Sequence, residues 1–152
     1  MRSRKSLAVM AILLPAAISL QGCFQEEKTR EKVARAIDCA IDAGPCFGTV
    51  EDLRVTFEIT PRPVRTMTDL VFRVEALSGG MSLKDGEVAV DLAMPGMVMA
   101  ENRVILSRLD GGIYEGRGAI VRCPSGGKDW KATVFSPSIP HLTFAFRVDQ
   151  SP

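Results

Sequence analysis

Leu53-Arg54-Val55-Thr56-Phe57-Glu58-Ile59-Thr60-Pro61 is the stretch that decides the fold. Val55, Phe57 and Ile59 alternate with polar residues, so an extended chain here has one apolar face and one wet face. Pro61 and Pro63 end the run, because proline brings no N–H to a ladder. The same signature repeats downstream. Leu70, Phe72 and Val74 form a second run, stopped by Ser78-Gly79-Gly80. Val88, Val90 and Leu92 form a third, stopped by Pro95-Gly96. Val104 and Leu106 form a fourth, and Asp110-Gly111-Gly112 reads as the hairpin turn after it. Tyr114 to Val121 forms a fifth, and Pro124-Ser125-Gly126-Gly127 reads as another hairpin. Trp130, Ala132 and Val134 form a sixth, with Trp130 expected in the core. Leu142, Phe144, Phe146 and Val148 form the seventh. Seven short one-faced strands separated by turn signals predict a mainly β fold over 51–150. The expected form is an immunoglobulin-like antiparallel β-sandwich.

Upstream of this block the period changes. Val33, Ala36, Ile37, Ala40 and Ile41 recur at helical spacing, and Gly44-Pro45 follows as a stop. The spacing predicts a short amphipathic helix from Glu27 to Ala43. Phe24 to Lys32 is polar and charged and reads as a tether.

The first 22 residues read as a lipoprotein signal peptide. Arg2, Arg4 and Lys5 are a basic start, and Leu7 to Leu20 is an apolar run too short to span a bilayer comfortably. Leu20-Gln21-Gly22-Cys23 is similar to a bacterial lipobox. The small Gly22 leaves the bond before Cys23 open to a peptidase, and the Cys23 thiol takes the diacylglyceryl group. Each buried CH₂ of the acyl chains adds about 0.8 kcal/mol, so Cys23 is expected to anchor the mature protein to a membrane. Phe24, in place of an aspartate, points to the outer membrane in a Gram-negative cell, on the periplasmic side of the envelope.

Removing residues 1–22 leaves 130 residues, enough for one domain with a real core. Three basic residues leave with the signal. The mature chain then carries 16 Lys and Arg against 18 Asp and Glu, which argues against nucleic acid as a partner. His141 is the single histidine, so a histidine-rich metal site or a histidine-based triad is not expected. No nucleophile elbow, HExxH or dinucleotide fingerprint occurs. The expectation is a protein that is not an enzyme.

Two groups of sulfur residues remain. Cys39, Cys46 and Cys123 would meet an oxidising compartment. Cys39 and Cys46 flank the Gly-Pro break, and a chain reversal there would bring them within disulfide reach. Pairing of Cys123 with either is the rival arrangement. The second group is Met94-Pro95-Gly96-Met97-Val98-Met99. Thioethers are soft ligands suited to Cu(I), and Met94, Met97 and Met99, helped by Cys123 or Met67, are the candidate copper ligands. The competing reading makes these methionines gap-fillers of the core.

Asp91 to Met99, Asn102-Arg103-Val104, Gly112-Ile113-Tyr114-Glu115-Gly116 and Trp130 to Val134 together resemble the YtkA-like domain, to which FixH-like proteins are similar. The resemblance covers Val55 to Val148. It implies an immunoglobulin-like sandwich outside a membrane and, by association, copper supply or oxidase assembly. Many members carry a histidine soon after the methionine segment. Here Met97-Val98-Met99-Ala100-Glu101 has none, so a His/Met site does not carry over. Two functions follow as expectations. One is a lipid-anchored binding protein that handles Cu(I). The other is an adaptor docking on a membrane complex, such as a respiratory oxidase or an efflux system.

Overall fold

All seven expected strands form, and three shorter ones join them, in a computed structural model that describes residues 35–150. In chain order they are β1 (Ile37–Asp38), β2 (Cys46–Val50), β3 (Leu53–Thr60), β4 (Leu70–Ser78), β5 (Met81–Ser82), β6 (Glu87–Ala93), β7 (Arg103–Arg108), β8 (Ile113–Gly118), β9 (Asp129–Phe135) and β10 (Leu142–Arg147). The signal peptide, Cys23 and residues 27–34 of the expected helix lie outside the described residues.

The strands make one continuous ladder in the order β1-β10-β9-β6-β7-β8-β4-β3-β2, with β5 paired to β4. Every pairing is antiparallel except β1 with β10. Strand β7 carries the ladder from one layer to the other. Its residues 103–107 pair with β6, and Ser107 and Arg108 pair with β8. The sheet therefore folds over on itself, nearly closing into a barrel. A Cβ on Gly48 of β2 would stand 2.6 Å from Ile37 Cδ1 and 2.8 Å from Leu142 Cδ2, so the two ends of the ladder almost touch.

The alternation read from the sequence is the core. Val55, Phe57, Ile59, Phe72, Val74, Val90, Trp130, Val134 and Phe144 are fully buried. Phe57 stacks on Phe144 across the layers, with ring centroids 5.3 Å apart. Each large apolar side chain taken out of water in this way stabilises the fold by roughly 1.5–3 kcal/mol.

Two expectations need correction. Within 35–43 there is no helix: Ile37 and Asp38 pair in parallel with Phe144 and Ala145, and a turn follows. Cys39 and Ile41 are buried and Asp38 and Ala40 exposed, which is the period of a strand. The Pro124 turn is not a hairpin either. It links β8 to β9, which are not neighbours in the ladder, so the chain crosses between layers there. Asp110–Gly112 does close the β7–β8 hairpin, as a single 3-10 turn with Gly111 at φ 79°.

Cys39 and Cys46 form a disulfide with α-carbons 5.6 Å apart, and Cys123 is free and buried. The reversal at 40–44, closed by Ala43 N–H donating to Ala40 O at 2.8 Å, thus joins the end of β1 to the start of β2. The loop it closes is further held by Arg62 Nε donating to Ile41 O at 3.0 Å and Val64 N–H donating to Asp42 Oδ1 at 2.6 Å.

Candidate functional site at the sulfur end of the sandwich

Strand directions put the sulfur residues at one end. Ala93 pairs with Lys131, Asp91 with Arg103, Arg147 with Asp129 and Leu70 with Gly118. The connections 61–69, 94–102, 119–128 and the segment after β10 therefore all lie at that end. His141 lies at the other, edge-on to Phe135 at 4.9 Å between ring centroids.

Cys123 begins a tight turn. Gly126 N–H donates to Cys123 O at 3.0 Å, and Gly126 has φ 74°, a conformation glycine adopts without a Cβ clash. The side chain of Gln150 clamps the turn from outside. Its Oε1 accepts from Cys123 N–H at 3.2 Å, and its Nε2 donates to Gly127 O. Inside the turn, Cys123 Sγ is 3.0 Å from Ser125 Oγ. That hydroxyl, joined by the backbone N–H groups of Gly127, Ser125 and Gly126, draws the thiol pKa below its ordinary value. Burial opposes the shift and does not overcome it. The donors of the turn thus make the thiol easier to deprotonate than an ordinary cysteine.

Gly127 brings the thiol and a methionine together. A Cβ on Gly127 would stand 2.7 Å from Met94 Cε and 3.4 Å from Cys123 Sγ. The Met94 methyl and the Cys123 sulfur are therefore no farther apart than those two distances combined. Met94 follows β6 directly and is 8% exposed; Cys123 is 4% exposed. The Met94 methyl packs directly on Gly127, so any side chain at 127 would have to displace it.

The remaining sulfur candidates differ in burial. Met99 packs half-buried against the core, as a gap-filler does. Met97 is 38% exposed, and its N–H donates to Met94 O at 3.3 Å across the Pro95-Gly96 turn. Met67 is exposed on the strap before β4, its N–H bonded to Ile120 O. Met81 is exposed at the far end, in β5. The structure thus gathers Met94 with Cys123 and leaves Met97 and Met99 in different surroundings. Sequence reasoning did not find Gly127, Ser125 or Gln150; the run Cys123-Pro124-Ser125-Gly126-Gly127 was the available signal.

A soft monovalent ion fits this donor set. One thiolate and one thioether around Cu(I) make a unit of zero net charge, which can stay buried without the cost of an isolated charge. Among the described residues no group of three or more His, Cys, Asp and Glu forms, so harder or tetrahedral coordination has no comparable set of donors there.

A second feature lies on the outer face of β7, β6 and β9. Ala89 pairs with Ile105 on one side and Phe135 on the other. The small alanine leaves a groove of about 480 Å³ between the two larger side chains. Arg103 lies over the Phe135 ring, 5.1 Å from its centroid.

No known family, characterised protein or solved structure matches the chain.

Proposed function

We propose that this chain is a lipid-anchored, non-catalytic binding protein of the bacterial cell envelope that holds Cu(I) between Met94 and Cys123. Cys23 supplies the anchor to the membrane, and the β-sandwich is the periplasmic part of the protein. The observation that carries the reading is the packing of the Met94 thioether end on the bare Gly127 backbone beside the buried Cys123 thiol, whose pKa the turn draws below its ordinary value. Cu(I) is the ion that two sulfur donors satisfy. Of the methionine cluster, Met94 is buried in the core beside Cys123, and Met99 is partly buried and packs against that core.

The test is Cu(I) titration of the full chain against a chromophoric chelator, with Met94→Leu and Cys123→Ser. Leucine keeps the volume of methionine nearly constant, so loss of binding in M94L reports the sulfur and not the packing. Affinity that survives both changes would overturn the assignment.

The groove across Ile105, Ala89 and Phe135 favours a second reading, an adaptor that docks on a membrane complex such as a respiratory oxidase or efflux system. Metal analysis of protein purified from native membranes separates the two. Stoichiometric copper supports the first reading, and a co-purifying membrane complex without copper supports the second.

A further inference from the structure

Met94 and Cys123 are almost closed off from solvent, so an ion held between them needs a route in. The Pro95-Gly96 turn carries one. Met97 N–H donates to Met94 O at 3.3 Å, and Gly96 at φ 74° takes the position that favours glycine in such a turn. The two methionine α-carbons at the ends of a four-residue turn lie within about 7 Å of each other. Their surroundings differ sharply: Met94 is 8% exposed and Met97 is 38% exposed. Val98, beside Met97, is fully exposed, so this loop reaches into solvent.

We propose that Met97 is a capture ligand: it takes Cu(I) from solvent or from a donor and passes it across the turn to Met94 and Cys123. The inference rests on the copper reading of that pair. A methionine side chain has three rotatable bonds and no branch, so its sulfur can be redirected without movement of the backbone. A thioether holds no proton, so capture at Met97 needs no deprotonation. The proton is released only when the ion reaches Cys123: the Cu–S bond to Met97 and the Cys123 S–H bond break, Cu–S bonds to Met94 and Cys123 form, and the proton goes to solvent. No electron moves, and copper remains Cu(I) throughout. Met99 is less open to solvent than Met97, being half-buried against the core, so Met97 is the one placed to meet an incoming ion. Met81, exposed at the opposite end, offers an internal comparison.

The experiment is stopped-flow transfer of Cu(I) from a chromophoric chelator to the full chain, read beside the equilibrium affinity. A capture ligand lowers the barrier in both directions. Met97→Leu is therefore expected to slow loading and release together by about tenfold, while affinity holds within about twofold, and Met81→Leu changes neither. Unchanged rates in M97L would overturn the proposal. So would an affinity loss in M97L as large as that in M94L, since Met97 would then be a resident ligand. Failure of the unmutated chain to take up Cu(I) defeats the copper reading itself, and is visible before any Met97 variant is compared.

Discussion

Met94 and Cys123 meet over the bare α-carbon of Gly127, the methionine methyl 2.7 Å and the thiol sulfur 3.4 Å from the place a Cβ would occupy. These residues come from two connections, 94–102 and 119–128, that are not adjacent in sequence. Their approach is a product of the fold, and it can be tested from the glycine.

Gly127→Ala places a methyl group in that space. The position has an ordinary φ, so backbone strain is not the issue; the clash is with the flexible end of Met94. Overfilling of this kind costs about 1–3 kcal/mol. Urea denaturation should show that loss, and Cu(I) affinity should fall by at least about tenfold as the thioether is pushed off the thiol. Unchanged affinity in a folded G127A protein would mean that the two sulfurs do not share an ion.

Gly116→Ala probes the step of the ladder between layers. A Cβ there would stand 2.4 Å from Ile105 O, a backbone atom that cannot turn aside. We expect a loss of about 3 kcal/mol and a shortened β7–β8 pairing, seen as faster amide exchange at Ser107 and Arg108. Wild-type stability in G116A would contradict the close approach of β8 to β7.

Asp85 ties two loops at the far end. Its carboxylate accepts from Ser138 Oγ at 2.7 Å, from Ser138 N–H at 3.1 Å and from Ser136 Oγ. Burial works to raise its pKa, but these donors outweigh it and hold the pKa below the ordinary 3.8. A depressed folded pKa means that this stabilisation is complete above the unfolded value. It is lost as pH falls from about 3.8 through the folded pKa. Asp85→Asn should cost about 1 kcal/mol at pH 7, discounted from the usual worth of charged hydrogen bonds because the site is half open to solvent. The difference from wild type should shrink in acid. A gap that stays constant to pH 2 would remove this account.

The Cys39–Cys46 link closes a short loop between β1 and β2. On the chain-entropy model it stabilises by about 2–3 kcal/mol. A Cys39→Ala, Cys46→Ala double variant should show that loss in denaturation. Cys123, free and buried on the 119–128 connection, should remain a reduced thiol in it. Alkylating the free thiols of the unfolded wild-type chain and mapping the blocked cysteine by peptide mass checks the pairing directly, with Cys123 expected to carry the label.

The error over Ile37 and Ile41 has a simple physical origin. Residues four apart share a face in a helix and also in a strand, because four is both near one helical turn and a multiple of two. Cys39, lying between them and buried with Ile41, decides for the strand. What settles it is pairing with Phe144 and Ala145, about a hundred residues away in the chain. The Pro124 turn misled for the same reason: turn chemistry is local, but whether the strands on either side pair is not.

Local alternation was enough, by itself, to determine the seven longer strands, their inward faces and the burial of Trp130, since one apolar face per strand permits few other outcomes. It also marked the sulfur residues as a group. Only the tertiary structure separated Met94 from Met97 and Met99, chose Cys46 as the partner of Cys39, and set Cys123 beside Met94. Those distinctions depend on which loops share an end of the sandwich, and strand order, not local pattern, decides that.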